Sequence, residues 1–540
     1  MSVMAYAPYG AGGVIIRVEA DIRRGIPGID ISGLAEGAVR EARERVRAAF
    51  RNSGFSFPLD RILINLAPAG LKKDGAALDL PIALAVMEAA DLAPIPPNLL
   101  VMGELELSGR VRPVRGVLAA MAAGLEQGIN EFIVPAENGK EAAILPAAHY
   151  ATASTLKEAV DALFIREETG MLPYNHINSE CVSDDYVTGD FADVRGQAVY
   201  KRALEIAAAG GHNILVFGPP GAGKTMLARR LPSIMARLSP DEAVEVTRLH
   251  SLAGPRLPEQ ARLPGQAGNA GFIDRLISNP PFRSPHHSAS AEGILGGGRT
   301  PRPGEISLAH FGVLFLDEAP EFKINVLQAL REPLEDRVIS ISRAEGQVQL
   351  PAEFQLLLAA NACPCGRLGK RYEPADGMAY NDMQACLCSP EEISRYWRKF
   401  GGALLDRIEI RTAVIPPLLC EIGAAQTACG EERSADIAKR VESAVAIQRQ
   451  RYKGTGIRRN SLIPAGKMET FCPMTGQAHS AFQKALARLG LSGRAYHGIL
   501  RVARTIADLD GKETIDTVHI LEAVQHRRYG EDPYEIVTMR

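Results

Sequence analysis

Apolar residues in this chain follow two rhythms, short continuous runs and longer helical periods, and the two are unevenly distributed. Residues 1–165 alternate strand-like segments at 14–18, 61–66 and 131–134 with helical periodicity at 36–52 and 81–90, which predicts an α/β or α+β unit. Residues 166–189 are polar and aperiodic and read as a linker. Residues 190–416 contain three near-continuous apolar runs, at 214–217, 313–316 and 354–360. Runs of that kind suit strands of a parallel sheet covered by helices on both faces. Residues 417–540 show helical periodicity at 437–450, 481–489 and 496–509 and no strand signal of comparable strength, so a small helical unit is expected to close the chain. No internal repeat or low-complexity tract interrupts this order.

The run at 214–217 opens the segment NILVFGPPGAGKTMLARR, in which GxxxxGKT joins a strand to a helix expected from Met226 onward. The loop Gly218, Pro219, Pro220, Gly221, Ala222, Gly223 lets backbone N–H groups approach phosphate oxygens. Lys224 is placed to reach the β- and γ-phosphates, and the Thr225 hydroxyl to help hold Mg²⁺. A glycine-rich turn without a ligand is the bland alternative, but it does not account for strand, loop and helix in that order.

Length and composition set the surroundings of this motif. The 540 residues suffice for about three or four units of roughly 150 residues each. A hydrophobic content of 46% is that of ordinary globular domains. No run approaches the ~18 apolar residues of a membrane span, and the start MSVMAYAPYG lacks the basic region of a secretory signal, so a cytoplasmic location is expected. Lys plus Arg number 61 against 63 for Asp plus Glu, which excludes a global field for nucleic acid and leaves such contacts to local loops. Eight cysteines in such a chain do not read as a disulfide framework.

Two further strand ends carry candidate chemistry. VLFLDE places Asp317 and Glu318 at the end of a buried strand, where open parallel sheets put their ligands. Asp317 is expected to orient Mg²⁺ and Glu318 to act as base toward the attacking water, although an acidic pair ending a strand is also what a solvated turn looks like. FQLLLAA ends at Asn361, whose neutral amide can hold that water or contact the γ-phosphate. Just beyond it, Cys363 and Cys365 form one CxC pair, and Cys386 and Cys388 a second. Four thiolates suit tetrahedral Zn²⁺, and free buried thiols are the competing reading. His286 and His287 lack a nearby carboxylate or thiol at ligand spacing, and the basic stretch at 449–459 reads equally as a nucleic-acid contact or a solvated helix end.

The phosphate loop, the acidic pair, the polar strand end and a following helical unit resemble an AAA+ ATPase. DVRGQ at 193–197, RSPHHSAS at 283–290, GEISLAHFGVLFLDEAPEF at 304–322 and LREPLED at 330–336 resemble the magnesium-chelatase-like AAA+ family that includes the ComM and YifB proteins. The resemblance implies that Arg407, in LLDRIEI, is an arginine finger acting in trans on a neighbouring subunit of a hexameric ring. It implies that Arg494 is a lid arginine sensing its own subunit's nucleotide, that Val194 and Gln197 lie near the adenine, and that the long stretch before VLFLDE is a helix-2 insert. Candidate DNA contacts are Arg283, Arg299 and Arg302 in that insert and Arg343 in an expected hairpin, 338–342 with 347–350. Residues 70–85 and 103–124 resemble a Lon-type proteolytic domain, but Ala77 stands where that family has its serine and no lysine occurs from Arg110 through Gly139. A Ser/Lys dyad is therefore not expected, and Ser108 is a poor substitute. The expected fold is thus an α/β AAA+ parallel-sheet core with a helical lid, preceded by an α+β Lon-like domain. The expected activity is that of an ATP-driven ring motor on DNA, driving branch migration in recombination of single strands during transformation. A protein-remodelling chaperone, or a motor subunit of a metal chelatase, remains the alternative.

Overall fold

The computed structural model describes residues 2–33, 37–70, 76–173, 189–254, 273, 275–298, 301–343, 346–368, 386–415, 431–489 and 493–527. The first part of the chain builds a seven-stranded sheet from β1 (Ser2–Ala7), β2 (Val14–Arg23), β3 (Gly28–Ser32), β4 (Arg61–Ala67), β5 (Leu99–Val101), β8 (Glu131–Pro135) and β9 (His149–Ala153), with a small ribbon of β6 (Glu104–Leu105) and β7 (Val111–Arg112) beside it. The order is β3-β4-β2-β1-β5-β8-β9. β1, β2 and β4 are antiparallel neighbours, whereas β5, β8 and β9 run parallel, so the sheet is mixed. The apolar helix Asp79–Ala89 is buried along almost its whole length against β1 and β2. The helix Leu156–Thr169, capped by the Thr155 hydroxyl and ended by Gly170 at φ +80°, runs into the segment read from sequence as a linker. The rest of that segment, 174–188, lies outside the described residues.

The second sheet holds five parallel strands in the order β11 (Phe282–Arg283), β14 (Val313–Leu316), β17 (Gln355–Ala360), β10 (Ile214–Phe217) and β18 (Ile410–Ala413). Alternation of side chains sorts each strand between two cores. Ile214, Val216, Phe315, Leu357 and Ala359 face one core, and Leu215, Phe217, Leu314, Leu316, Leu356 and Leu358 face the other. That two-sided burial is why these strands read as unbroken apolar runs.

The first core is shared with the C-terminal helices. Helix Ala198–Gly210 lies between the sheet and helices Ser434–Arg451 and Gly493–Leu509, and Ile437, Val441, Ile499 and Ile506 join the same apolar cluster. Within these helices the fully buried Arg504 pairs with Asp508 at 2.9 Å, and Asp508 also accepts from Arg451 and from Asn460 at 2.8 Å. On the other side of the sheet an antiparallel hairpin, β15 (Val338–Arg343) with β16 (Gly346–Pro351), sends Ile339, Val348 and Leu350 into the second core. A two-residue ribbon, β12 (Gly296–Gly297) with β13 (Arg302–Pro303), lies in the stretch before β14.

The two sheets meet through helix Pro240–Ala253. Leu252 packs with Tyr6 and Val117 of the first unit, and Ser251 donates to the buried carboxylate of Glu141 at 2.5 Å. Glu141 also accepts from the Leu118 N–H and the Asn138 amide, both at 2.9 Å. Burial pushes the Glu141 carboxyl up from its ordinary range despite these donors. Among the described residues no helix is long and apolar enough to cross a membrane.

Candidate nucleotide site and cysteine cluster

Because β10, β14 and β17 are parallel, their C-terminal ends open on one edge of the sheet, where α/β sheets bind ligands. β17 lies between the other two, pairing Ala360 with Phe217 and Leu358 with Leu316, so Asn361 emerges between the phosphate loop and the acidic pair. Gly218 is required by packing: a Cβ there would stand 2.2 Å from the Val414 carbonyl oxygen, and its N–H donates to Ala360 O at 3.2 Å. The loop ends at Gly223 with φ +87°, and the helix it leads into, Lys224–Ala228, begins two residues earlier than expected and is short.

Lys224 is nearly buried, and its ammonium donates to Gly218 O at 2.7 Å, Pro219 O at 2.9 Å and the Asn361 side-chain oxygen at 3.3 Å. Burial lowers its pKa to about 8, against the opposing pull of Asp317 and Glu318. The Thr225 hydroxyl donates to Asp317 Oδ2 at 2.8 Å. Two oxygens at that separation are close to the roughly 3.0 Å edge of an octahedron built on Mg–O bonds of about 2.1 Å, so the pair fits Mg²⁺. Asp317 is half-buried, while Glu318 is exposed and sits at φ +49°, a left-handed conformation that a non-glycine residue rarely adopts. Its N–H donates to Asp317 Oδ1 at 3.0 Å, which holds the two carboxylates in sequence around the strand end. Gln197 bridges the phosphate loop and the end of β18, donating to Ala222 O at 3.2 Å and Ile415 O at 2.6 Å, and Val194 is buried in the core beneath. Glu431, which no motif singled out, accepts from the Gly196 N–H at 2.7 Å and pairs with Lys201 at 2.5 Å on the same segment.

The two arginines meet on one acid. Arg407 pairs with Glu335, and Arg494 Nη2 donates to the other oxygen of that carboxylate at 2.9 Å. The Arg407 hydrogen bond, foremost, holds Glu335 below the usual carboxylate range. Asn213, at the foot of β10, ties this feature back to the sheet: its amide donates to Arg407 O at 2.9 Å and accepts from the Leu356 N–H at 2.8 Å. The two arginines expected to serve different nucleotides are thus both held by one carboxylate of their own chain. Glu335 was not legible as a partner because its pairings span 72 and 159 residues.

Of the cations expected on loops, Arg283 is not one. It is 5% exposed at the edge of the sheet and forms a two-pronged pair with Glu305 at 2.7 and 2.9 Å, so its charge is spent internally. Arg302 is exposed on β13. Arg343 ends β15, and neither its side chain nor Arg299 lies within the described residues. The rings of His286 and His287 lie 4.0 Å apart, tilted by 35°, and His286 Nδ1 is engaged with the Ser288 hydroxyl at 2.8 Å.

The two CxC pairs converge. All four sulfurs lie within 4.8 Å of one another, with Cys363–Cys365 at 3.3 Å and Cys386 at 3.6 Å from both. Among the described residues this is the one cluster of His, Cys, Asp or Glu ligand atoms so gathered.

Comparison with known proteins agrees with this geometry. The family described as "Magnesium chelatase, subunit ChlI" matches residues 190–419, "Subunit ChlI of Mg-chelatase" residues 18–138, and "Magnesium chelatase, subunit ChlI C-terminal" residues 431–527. The competence protein ComM of Haemophilus influenzae is 38% identical over 533 residues, covering 97% of both chains. The chain belongs to the ComM/YifB type of magnesium-chelatase-like AAA+ proteins. The uncharacterized YifB of Escherichia coli is 37% identical over 96% of each chain, and an uncharacterized protein of Mycobacterium tuberculosis is 39% identical over 96% of this chain. Lon protease 2 of Bacillus subtilis is 29% identical over 206 residues, 34% of this chain. The fold is accordingly an AAA+ parallel-sheet core preceded by a Lon-like unit. Membership in this AAA+ family implies an ATPase that uses ATP and Mg²⁺.

Proposed function

We propose that this AAA+ ATPase is a ring motor that moves on DNA and drives branch migration during recombination of single strands. The observation that carries the motor reading is the gathering of Lys224, Thr225, Asp317, Glu318 and Asn361 at three adjacent strand ends, with two arginines paired on a separate carboxylate. Lys224 neutralises the β- and γ-phosphates, Thr225 and Asp317 hold Mg²⁺, Glu318 takes the proton of the attacking water, and Asn361 orients it. Mg²⁺, when bound, spreads the charge that develops on the phosphate oxygens. Arg407 acts in trans on the nucleotide of a neighbouring subunit, Arg494 senses the nucleotide of its own subunit, and Glu335 holds both until an anion replaces it. Charge stabilisation of this kind is worth about 10³ to 10⁵ in rate. The ring is hexameric in this reading.

The DNA assignment leans on the competence protein ComM as relative and on the hairpin. The hairpin's exposed positions include Ser342, Gln347 and Gln349, polar and non-aromatic, as suits a backbone tracked by hydrogen bonds. Arg302 and Arg343 would add salt-sensitive phosphate contacts. The Lon-like unit serves as scaffold or guide, and Cys363, Cys365, Cys386 and Cys388 hold a structural zinc ion.

The test is ATP turnover of the purified protein alone and with single strands, duplex or a four-way junction, with Glu318→Gln as blank. Stimulation by single strands or junctions, followed by junction movement, is expected. Equal turnover in all four conditions would remove DNA as the substrate and redirect the search to polypeptides held by the Glu318→Gln protein.

A further inference from the structure

The cysteine cluster is built into the nucleotide site. Tetrahedral zinc with Zn–S bonds of about 2.3 Å has sulfurs about 3.8 Å apart, close to the separations of 3.3 to 3.6 Å among Cys363, Cys365 and Cys386. A disulfide would require about 2.05 Å, so the sulfurs are grouped and not bonded. The Leu368 N–H points at Cys363 Sγ at 3.4 Å and the Gly366 N–H at Cys363 O at 3.1 Å, forming a tight knuckle that presents the first pair to one point.

Three contacts link this knuckle to the phosphates' site. Asn361, two residues before Cys363, accepts from Lys224. Gly366, at φ +71°, lies against the phosphate loop so closely that a Cβ there would stand 3.2 Å from Pro220 Cδ and 3.4 Å from Pro220 Cγ. Ala362 O accepts from Trp397 Nε1 at 3.1 Å, and the Trp397 ring meets Phe217, the last residue of β10, edge-on at 5.4 Å. Trp397 ends the helix Pro390–Trp397, whose N-cap Ser389 directly follows Cys388. The second thiol pair therefore opens the helix that pins the backbone just before the first pair. Chain and side-chain contacts form a loop, from Asn361 through Ala362 and Trp397 back to Ser389, that a metal bridging the two pairs closes.

We propose that one zinc ion bound by Cys363, Cys365, Cys386 and Cys388 acts as a clamp that sets ATP turnover, by holding Asn361 beside Lys224 and Gly366 against Pro220. The proposal rests on the ATPase reading of the site and on the zinc assignment, and it adds the coupling between them. Its consequence is that the metal governs the rate of the chemical step more than the binding of nucleotide, because Lys224 and Thr225 keep their own loop while the water-orienting amide shifts. A displacement of about 1 Å at such a residue can cost about 10²-fold in rate.

The test uses the full-length protein. Zinc is first counted by elemental analysis, with about one per chain expected. The metal is then removed with a thiol-reactive mercurial and chelator, the thiols are regenerated, and Mg²⁺ is restored before assay. Turnover should fall at least about tenfold while the Kd for a fluorescent ATP analogue changes less than about threefold, and added zinc should restore turnover. A second variant leaves all four thiols and the knuckle backbone in place: Trp397→Phe removes the hydrogen bond to Ala362 O, and it should retain zinc with reduced turnover. Protein purified in zinc-supplemented medium and lacking the metal would overturn the assignment itself, independently of any activity. Zinc present, with turnover unchanged both on its removal and in Trp397→Phe, would leave a local staple and overturn the clamp.

Discussion

Lys224 carries the sharpest electrostatic conflict in the nucleotide site. Its ammonium is stripped of water but faces Asp317 and Glu318, and the balance puts its pKa at about 8, below the ordinary 10.5. Near neutrality the side chain is charged and attracts phosphate; as pH rises through about 8 that charge is lost in the free protein. Affinity for a fluorescent ATP analogue should therefore weaken as pH rises through this range, and the trend should vanish in Lys224→Ala. Stability moves the opposite way. Between about 8 and 10.5 the unfolded chain holds the extra proton, so this residue's destabilising contribution, full below about 8, is relieved as pH rises. A pH-independent affinity over that interval, or the same slope in Lys224→Ala, would show that another group controls binding. Glu318 shows a second kind of tension, in the backbone. Its left-handed φ of +49° costs on the order of 1 kcal/mol for a non-glycine residue, and it falls at the expected base.

Among the elements, helix Pro240–Ala253 has the least expected role, because it joins the Lon-like unit to the AAA+ core. Its Ser251 hydroxyl serves Glu141, which is 1% exposed and has few other donors. Ser251→Ala removes one of them without altering the apolar contact of Leu252, and the loss should be about 1 to 3 kcal/mol of unfolding free energy in urea. A change below about 0.5 kcal/mol would mean that Glu141 finds another donor. The sequence showed little of this contact, and the reason applies more widely. β10, β14 and β17 were legible because burial on both faces writes an unbroken apolar run into each. β18 was not, since Ile410–Ala413 includes the buried polar residues Arg411 and Thr412 and borrows its place from pairing with β10. The phosphate loop, the acidic pair and Asn361 were legible from local spacing, and the CxC pairs from cysteine chemistry. Arg283 misled because a loop arginine and one spent on Glu305 look alike in one dimension. Glu335 and Glu141 acquire their partners only through chain folding.

At the scale of the whole molecule, the position of the two arginines bears on how many chains make one active site. Arg407 and Arg494 come from different parts of the chain, yet they share Glu335. Among the described residues both arginines pair with Glu335, away from the phosphate loop, whose own lysine is held by Gly218, Pro219 and Asn361. If each site needs Lys224 of one subunit and Arg407 of the next, head-to-tail assembly is obligatory for turnover. Two variants separate this from a self-sufficient subunit: Lys224→Ala should be inactive for want of the cation that neutralises the β- and γ-phosphates, and Arg407→Ala should lose about 10³-fold or more in kcat while still binding nucleotide. Mixed in equal amounts and allowed to reassemble, they should regain turnover, because at roughly a quarter of interfaces an intact phosphate loop then faces an intact arginine. The gain should grow with protein concentration and disappear when the mixture is diluted below its assembly range. Turnover of the mixture no greater than the sum of the separate variants would mean that Arg407 serves its own subunit, and that Glu335 holds it for a step within a single chain.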